Sequence, residues 1–396
     1  SPTQGFLVET DGNAATGGSF NLQTTADFLA NSFNGNYVFD FSGANSAGAN
    51  TSIIGNIAAN GSGAITGGVI DTNDGTNGPS GAIPLTLPGT FSLDPTYGAT
   101  FGRGTAAFAG HTYVFYIADA TQIMFLQEDP LGGSSGNAVL QTGTIPTQNS
   151  GFTGGFAYLV GGQSTAGPDA AVARFTADAA GGIGTISYDE NNDGGAYHIS
   201  QGTNISNATY AIDTTNAGSG RGTLTFTDSS HGTFQYVFYL ISPTSGVIQD
   251  VRSGIVADGT LLAQTGSPFT LSGLAGNYIF NWNGVDLSSS TVENFGGQYV
   301  LASSASKNIS GVVDGTILGA SGFGGGSVNA FNDIGTQGTL TITPDGSANN
   351  AYQIVAGNPL GNTYNYQAYI VDANTVFLVA TDNTRVLAGS VSRQSQ

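Results

Sequence analysis

Short segments in which apolar and polar residues alternate, or in which apolar residues form brief runs, recur along the whole chain. They are rich in Val, Ile, Phe, Tyr and Thr, and include residues 37–39, 223–226, 236–239 and 339–342. Asn-Gly, Asp-Gly and Gly-Gly pairs separate them, and these pairs favour tight turns with positive φ. The 62 Gly among 396 residues oppose long helices, because each Gly costs about 1 kcal/mol relative to Ala in a helix interior. The pattern predicts an all-β chain.

A long internal repeat determines the predicted architecture. The motif GNYVFDF at Gly35 returns as GGFAYLV at Gly154 and as GNYIFNW at Gly276, so the copies start 119 and 122 residues apart. A period of about 120 residues with seven or more strands per copy indicates tandem β-sandwiches or small barrels. A β-solenoid would repeat every ~20–30 residues. We predict three modules, and the predicted boundaries are 1–32 for an N-terminal hairpin and linker, 33–146 for module 1, 147–268 for module 2 and 269–396 for module 3.

Two further motifs recur inside the modules. GRGT, which contains Arg103 in module 1 and Arg221 in module 2, precedes an aromatic strand, and module 3 has Gln337 in place of the Arg. Each module then closes with a hairpin that ends in Gln, at residues 141, 264 and 394. The repeat unit is therefore predicted to run from the opening strand to this closing hairpin.

The N-terminal segment resembles the end of a repeat rather than its beginning. Residues 6–23 align without a gap with residues 377–394 of the last closing hairpin, at a constant offset of 371. The chain thus carries four closing hairpins but only three opening strands. A lone hairpin is marginally stable in water, and each of its apolar side chains would gain about 1.5–3 kcal/mol on full burial. We expect the hairpin to dock through five residues: Phe6, Leu7, Val8, Phe20 and Leu22.

Three arrangements of the surplus hairpin are open from the sequence. It folds onto module 1 as an extension, it docks on another copy of the chain, or the chain is a piece of a longer repeat array. Docking on another copy would be a head-to-tail contact, and such a contact makes a filament when it does not close into a ring.

Composition excludes several classes of function. The formal charge is −19, and only seven residues are Lys or Arg, too few for binding nucleic acid or an anionic membrane surface. The sequence contains no run of about 18 apolar residues, so it predicts no membrane-spanning helix. The absence of Cys excludes disulfides, thiolate zinc sites and Cys nucleophiles. A first residue that is Ser rather than Met fits removal of a secretion signal, so we expect a secreted protein at the cell surface.

Candidate chemistry is sparse. Asp189, Asn191 and Asp193, followed by Gly194, match the first half of a calcium loop, although an Asn- and Asp-rich β-turn explains them equally well. Weak Ca²⁺ binding is the one cofactor expectation. The run Gly132–Gly136 formally matches a nucleophile elbow but lies in a closing hairpin, without the strand-to-helix context. We expect no enzymatic activity.

The GNYVFDFSG-type opening, the GRGT turn and the FLVETDG-type closing hairpin together resemble the repeats of large secreted Gly-rich β-proteins of environmental bacteria, the acidobacterial type in particular. This resemblance implies secretion and a β-modular build, and it brings no catalytic residues. The function we expect is a structural subunit that assembles with itself, head to tail, into an extracellular filament by hairpin exchange. The alternative is an adhesin or glycan-binding array, which would have clustered exposed aromatic residues. A β-rich polysaccharide hydrolase is the third hypothesis.

Overall fold

The computed structural model describes residues 4–9, 17–85, 89–200, 205–302, 308–318, 328–342, 347–354 and 363–394. The fold is all-β, with three repeated barrel modules and a separate N-terminal hairpin, which confirms the predicted fold class. The helical segments described are one turn each: Thr25–Asp27, Ala30–Ser32, α1 (Gly98–Phe101), Asn149–Gly151 and α2 (Leu271–Leu274).

The N-terminal hairpin and module 1 come first. The hairpin consists of β1 (Gln4–Val8) and β2 (Gly17–Asn21), which pair antiparallel. Module 1 has nine strands, and eight of them close a ring in which β5 pairs with β4 along one edge and with β7 at the start of the other edge, while β6 pairs with the rest of that second edge. The strands are β3 (Asn34–Asn45), β4 (Asn50–Asn60), β5 (Ala64–Asp74), β6 (Gly78–Pro84), β7 (Gly89–Leu93), β8 (Arg103–Phe108), β9 (His111–Asp119), β10 (Gln122–Gln127) and β11 (Gly132–Leu140).

Module 2 repeats this plan. Its nine-stranded sheet is closed by a bridge between Gly182 and Thr209, and β15 extends β14 as β6 extends β5. The strands are β12 (Thr153–Ser164), β13 (Pro168–Asp178), β14 (Ile183–Asn192), β15 (Gly195–Ser200), β16 (Ile205–Ile212), β17 (Arg221–Asp228), β18 (Gly232–Ser242), β19 (Ser245–Asp250) and β20 (Ile255–Ala263).

Module 3 is a closed eight-stranded barrel in which neighbours in sequence pair and the last strand returns to the first. The strands are β21 (Gly276–Asp286), β22 (Thr291–Leu301), β23 (Asn308–Leu318), β24 (Val328–Ile342), β25 (Ser347–Ile354), β26 (Thr363–Ile370), β27 (Thr375–Ala380) and β28 (Arg385–Arg393).

Each barrel has its own core of inward-facing side chains, and every second residue of a strand points outward. Aromatic rings fill much of these cores, as where Phe33 meets Phe91 with ring centroids 4.6 Å apart. Each closing strand has a Gly at the point where it pairs with the opening strand of its module. A Cβ at Gly136, Gly259 or Gly389 would lie within about 2 Å of the facing carbonyl oxygen. Part of the high Gly content therefore serves this close approach between strands.

Candidate functional site

Successive modules contact each other through the same pair of faces. We call the outer face of the first three strands of a module its front face (β3–β5, β12–β14, β21–β23). We call the outer face of the aromatic strand, the strand that pairs with it on the N-terminal side and the closing hairpin its back face (β8–β11, β17–β20, β25–β28). The front face of module 1 packs on the back face of module 2 through an apolar cluster that includes Ile54, Val69 and Val237. The front face of module 2 packs in the same way on module 3, through Val172, Phe377 and Val379 among others.

A buried carboxylate lies at the centre of the first contact. Asp71, in β5, receives two hydrogen bonds from Arg221 of module 2, from Nε at 2.7 Å and from Nη2 at 2.8 Å. The hydroxyl of Tyr239 donates a third at 2.6 Å. Asp213 accepts a bond from Nη1 of the same guanidinium and so holds it in place. The bond to Asp71 raises the pKa of Arg221, and burial raises the pKa of Tyr239, so this hydroxyl stays a donor.

The second contact has a carboxylate at the equivalent position. Asp71 is paired with Ile54 on the neighbouring strand, and Asp189 is paired with Val172 in the same register of module 2. The hydroxyl of Tyr369, in module 3, donates to Asp189 at 2.5 Å. The sequence motif aligns Gln337 with Arg221, but in the barrel β25 separates β24, which carries Gln337, from β26, so Gln337 is not paired with Tyr369 as Arg221 is with Tyr239. At this contact Nδ1 of His198 lies 3.0 Å from Asp189.

Two residues further along each strand, an Asn donates to backbone carbonyls of the next module. Nδ2 of Asn73 donates to the carbonyls of Asp250 at 2.8 Å and Ile255 at 2.6 Å. Nδ2 of Asn191 donates to three carbonyls of module 3, those of residues Ala380 at 2.9 Å, Asp382 at 3.1 Å and Arg385 at 2.7 Å. Residues at i and i+2 of a strand share a face, so Asp and Asn bind the next module together.

The Gln that ends each closing hairpin also binds the following module. Nε2 of Gln141 donates to the carbonyl of Leu240 at 2.7 Å, and Nε2 of Gln264 donates to that of Ile370, also at 2.7 Å. The repeated Gln of the sequence is thus part of the contact between modules, a role that its position in the motif did not reveal.

An acidic pair distinguishes the first contact from the second. Asp40 and Asp258 meet across the boundary between modules 1 and 2, where burial raises the pKa of both carboxyl groups and the charge of Asp258 raises the pKa of Asp40 further. At the second contact the equivalent positions hold the apolar residues Leu159 and Ala388. One proton shared by the two carboxyl groups relieves their repulsion.

This pair makes the first contact sensitive to pH. The folded state keeps a proton that the unfolded chain releases above about pH 4, so the free energy of unfolding falls as pH rises, by up to about 1.4 kcal/mol per pH unit. Urea unfolding at pH 5 and pH 8 should show this loss in the native chain. The double variant Asp40→Leu with Asp258→Ala carries the residues of the second contact and should lose less. Equal losses in the two proteins would exclude the pair as the cause.

The N-terminal hairpin lies on the front face of module 3, in the position where the closing hairpin of a further module would lie. Oγ1 of Thr316 donates to the carbonyl of Glu9 at 2.8 Å. Thr316 occupies the register position of Asn191, and Glu9 aligns with Ala380, whose carbonyl Asn191 binds. Val8 packs on Gly296, where an added Cβ would lie 2.5 Å from its Cγ2. The same kind of contact is therefore made three times in the chain.

The five predicted hairpin residues divide between the two faces of this hairpin. Phe6 and Val8 are half-buried, whereas Leu7, Phe20 and Leu22 are 56%, 51% and 63% exposed. The residues that align with Leu7 and Phe20 in module 3 are Leu378 and Val391, which are fully buried in its barrel core. One face of the hairpin is thus docked, and the other keeps the apolar residues of a barrel interior. The C-terminal end of the hairpin also contacts module 1, where the backbone N–H of Thr24 donates to the carbonyl of Ala118 and Nε2 of Gln23 donates to that of Ile117.

The predicted calcium residues have other partners in the structure. Asp189 and Asn191 are bound to module 3 as described, and Asp193 begins a tight turn with Gly194, with φ of 49° and 84°. Across the described ranges, no group of three or more Asp, Glu or His side chains is arranged to hold a metal ion. A calcium ion here would have to displace the bonds between modules 2 and 3.

The sequence analysis missed a buried charge cluster inside the barrel of module 2. Arg252 donates to Asp250 at 2.6 Å and to Glu190 at 3.2 Å and lies over the ring of Phe234. Burial, together with the charge of Glu190, raises the pKa of the neighbouring Asp169 to about 9. These three carboxyl groups are at most 2% exposed, so a dissolved substrate does not reach them, and we interpret the cluster as a structural plug. Module 3 has a related ion pair between Arg385 and Asp286.

Comparison with known proteins adds little. No protein-family model matches the chain, and no curated protein matches it in sequence. Among solved structures, it is similar to a mutant of transferrin binding protein B from Haemophilus parasuis (9% identity, 91% of this chain and 75% of that chain covered, TM-score 0.24). Intact Ap-TbpB (10%, 91% and 76%, 0.20) and kievitone hydratase from Nectria haematococca (10%, 65% and 96%, 0.18) are further matches. These scores are too low to support an argument about function.

A search of the described residues for membrane-spanning helices finds none with the required length and apolar character.

Proposed function

We propose that this protein is a secreted structural subunit that assembles head to tail into an extracellular filament by exchanging its N-terminal hairpin between copies. The observation that carries this proposal is the position of the hairpin on the front face of module 3. There it makes the contacts by which each module of the chain holds the next, with Glu9 in the place of Ala380 and Val8 in the place of Val379.

The contact favours polymers because it is heterologous. Each front face contacts either a back face or the N-terminal hairpin, which matches the closing hairpin of a back face. When two copies join, one front face and one hairpin therefore stay free at the two ends. In a single chain the hairpin closes on its own module 3. Moving it to the identical front face of another copy preserves its contacts. The balance between free and joined copies is then set by the protein concentration. Hairpin exchange therefore costs little in contact energy and extends the array.

The exposed face of the hairpin gives a second reason for self-association. Phe20 lines a surface groove together with Tyr116 and Leu126 of module 1, which are 41% and 54% exposed, and Leu7 and Leu22 of the hairpin are exposed as well. Exposed apolar patches on a folded protein commonly mark sites of association. Assembly of copies along this surface would cover Leu7 and Phe20, whose counterparts Leu378 and Val391 are buried in module 3. Secretion and the cell-surface location belong to the same proposal, and assembly without Cys would not depend on redox conditions.

Negative-stain microscopy with light scattering tests this function on the full chain and on a variant that lacks residues 1–25. Filaments from the full chain should be absent from the truncated one. A Gly296→Trp variant supplies the matched control, because it fills the hairpin's place on module 3 while leaving the hairpin present, and it should also stop assembly. Monomers in every case would contradict the polymer and favour an adhesin. Filaments that survive truncation would place the contact elsewhere.

A further inference from the structure

The back face of module 1 repeats the carboxylate-binding pair of module 2. Arg103 is paired with Tyr116 across β8 and β9, in the register that pairs Arg221 with Tyr239. In module 2 these two side chains hold Asp71 of the preceding module. In the described part of the chain, no carboxylate takes the place of Asp71 beside the pair of module 1, whose Arg103 is bound to Asp94.

The pair in module 1 is already fixed in place. Asp94 binds Nη1 of Arg103 as Asp213 binds Nη1 of Arg221, so a carboxylate of the same module holds the guanidinium at Nη1. The side chain of Arg103 also lines an open pocket. The side chains of Arg103 and Asp94 are 26% and 17% exposed, which leaves the Arg reachable. A guanidinium fixed in this way loses little freedom when it binds a carboxylate in the bidentate manner of Arg221.

The loop before the Arg differs between the two modules. Module 2 has Asn216 and Ser219 in this loop, and Nε2 of Gln141 of module 1 donates to the carbonyl of Ser219 at 3.0 Å. Module 1 has Tyr97 and Phe101 at these positions, each 51% exposed, with ring centroids 6.2 Å apart. The two exposed rings give this face of module 1 an apolar surface that module 2 does not have at these positions.

Together these residues line an open pocket. Its volume is about 460 Å³, and its walls are formed by Gln23, Tyr97, Phe101, Arg103 and Tyr116. Gln23 is held in position because its Nε2 donates to the carbonyls of Ile117 at 2.9 Å and Phe101 at 3.2 Å. The pocket thus combines a fixed cation, a phenol and two exposed rings, in a volume typical of small-molecule sites.

We propose that this pocket binds a uronic acid residue of an acidic polysaccharide. Its carboxylate would take the place of Asp71, between the guanidinium of Arg103 and the hydroxyl of Tyr116. The C–H face of the sugar ring would pack on Tyr97 and Phe101, because aromatic rings offer a large apolar surface to a flat ligand. The site is independent of the hairpin contact on module 3, and it gives the protein a means of attachment to an acidic glycan matrix.

Calorimetric titration of the full chain with a de-esterified oligogalacturonate, and with the same oligomer fully methyl-esterified, tests the site. The acid form should bind, and esterification, which removes the charge, should weaken binding about tenfold or more. Arg103→Gln should have the same effect and keep the fold, because the side chain of Arg103 is partly exposed and lies outside the barrel core. Tyr116→Phe removes only the hydroxyl and should weaken binding less. Arg174→Gln, with the same charge change on module 2, is the control and should bind normally.

Three results would overturn this proposal: no binding of the acid oligomer, equal binding of the ester, or unchanged binding by Arg103→Gln. Light scattering on Arg103→Gln separates it from the proposed filament, since assembly should continue at the native level. Loss of assembly in this variant would assign the back face of module 1 to contact with a second copy instead. Failure of hairpin exchange leaves the titration result unaffected, so the two proposals fail separately.

Discussion

Arg221→Gln should weaken the contact between modules 1 and 2 by about 3 kcal/mol, because it removes the cation that neutralises a buried carboxylate. Asp71 is 2% exposed and would keep the Tyr239 hydroxyl and at most one bond from the Gln amide. The modules need not unfold together, so native-state hydrogen exchange on β5 and β18 is the suitable measurement. Protection of these strands should fall by about two orders of magnitude, the equivalent of 3 kcal/mol.

The same substitution in module 1 is the matched control. Arg103 has neighbours equivalent to those of Arg221, namely Asp94 and Tyr116, but it lines an open pocket instead of binding a buried carboxylate of another module. Arg103→Gln should therefore leave the free energy of unfolding close to that of the native chain, because exposed ion pairs contribute little to stability. Equal effects of the two substitutions would mean that the bond to Asp71 contributes nothing beyond the local loop, and would contradict the account of the contact.

Asn191→Asp should disrupt the contact between modules 2 and 3 almost completely. The substitution keeps the size of the side chain but places a carboxylate oxygen against the three carbonyls that now accept from Nδ2. Asn191 is fully buried, and an unpaired buried charge that also faces acceptors costs several kcal/mol, of the order of 3–5. Hydrogen exchange in β14 and β27 should lose most of its protection, and small-angle scattering should show separation of module 3.

Asn191→Thr provides the comparison, because module 3 has Thr316 at the same register position and binds Glu9 with a single bond. It should cost about 1–2 kcal/mol, since the carbonyls keep one donor in place of a full set. An equally severe effect of Thr and Asp would show that packing rather than hydrogen bonding decides the stability at this position.

The module repeat and the all-β fold could be predicted from the sequence because both are local in pattern. The period of about 120 residues, the alternation within strands and the surplus hairpin are all visible along the chain. The constant offset between residues 6–23 and 377–394 also gives the register of the hairpin on module 3, because it aligns Glu9 with Ala380. The alignment alone gives this correspondence, but it does not identify the front face of module 3 as the surface that receives the hairpin.

The contact between modules could not be predicted because its partners are far apart in sequence. The spacing of Asp189 and Asn191, which Asp71 and Asn73 repeat, indicates a calcium loop or a turn when Asp189 and Asn191 are taken alone. On a strand the same spacing places both side chains on one outward face, toward the next module. The GRGT motif likewise marked Arg103 and Arg221 as equivalent, but only the packed structure shows that one has a carboxylate partner and the other has an open pocket.

Disulfide trapping between copies tests the central claim, that the hairpin of one copy occupies module 3 of another, most directly. The chain has no Cys, and a Cβ built at Gly296 lies 3.7 Å from the Cβ of Val8, within the range of a disulfide. Val8→Cys and Gly296→Cys copies are mixed and oxidised, and the double variant is oxidised separately. Exchange predicts covalent heterodimers from the mixture and a concentration-dependent ladder from the double variant. Only internally cross-linked monomers, at every concentration, would contradict it.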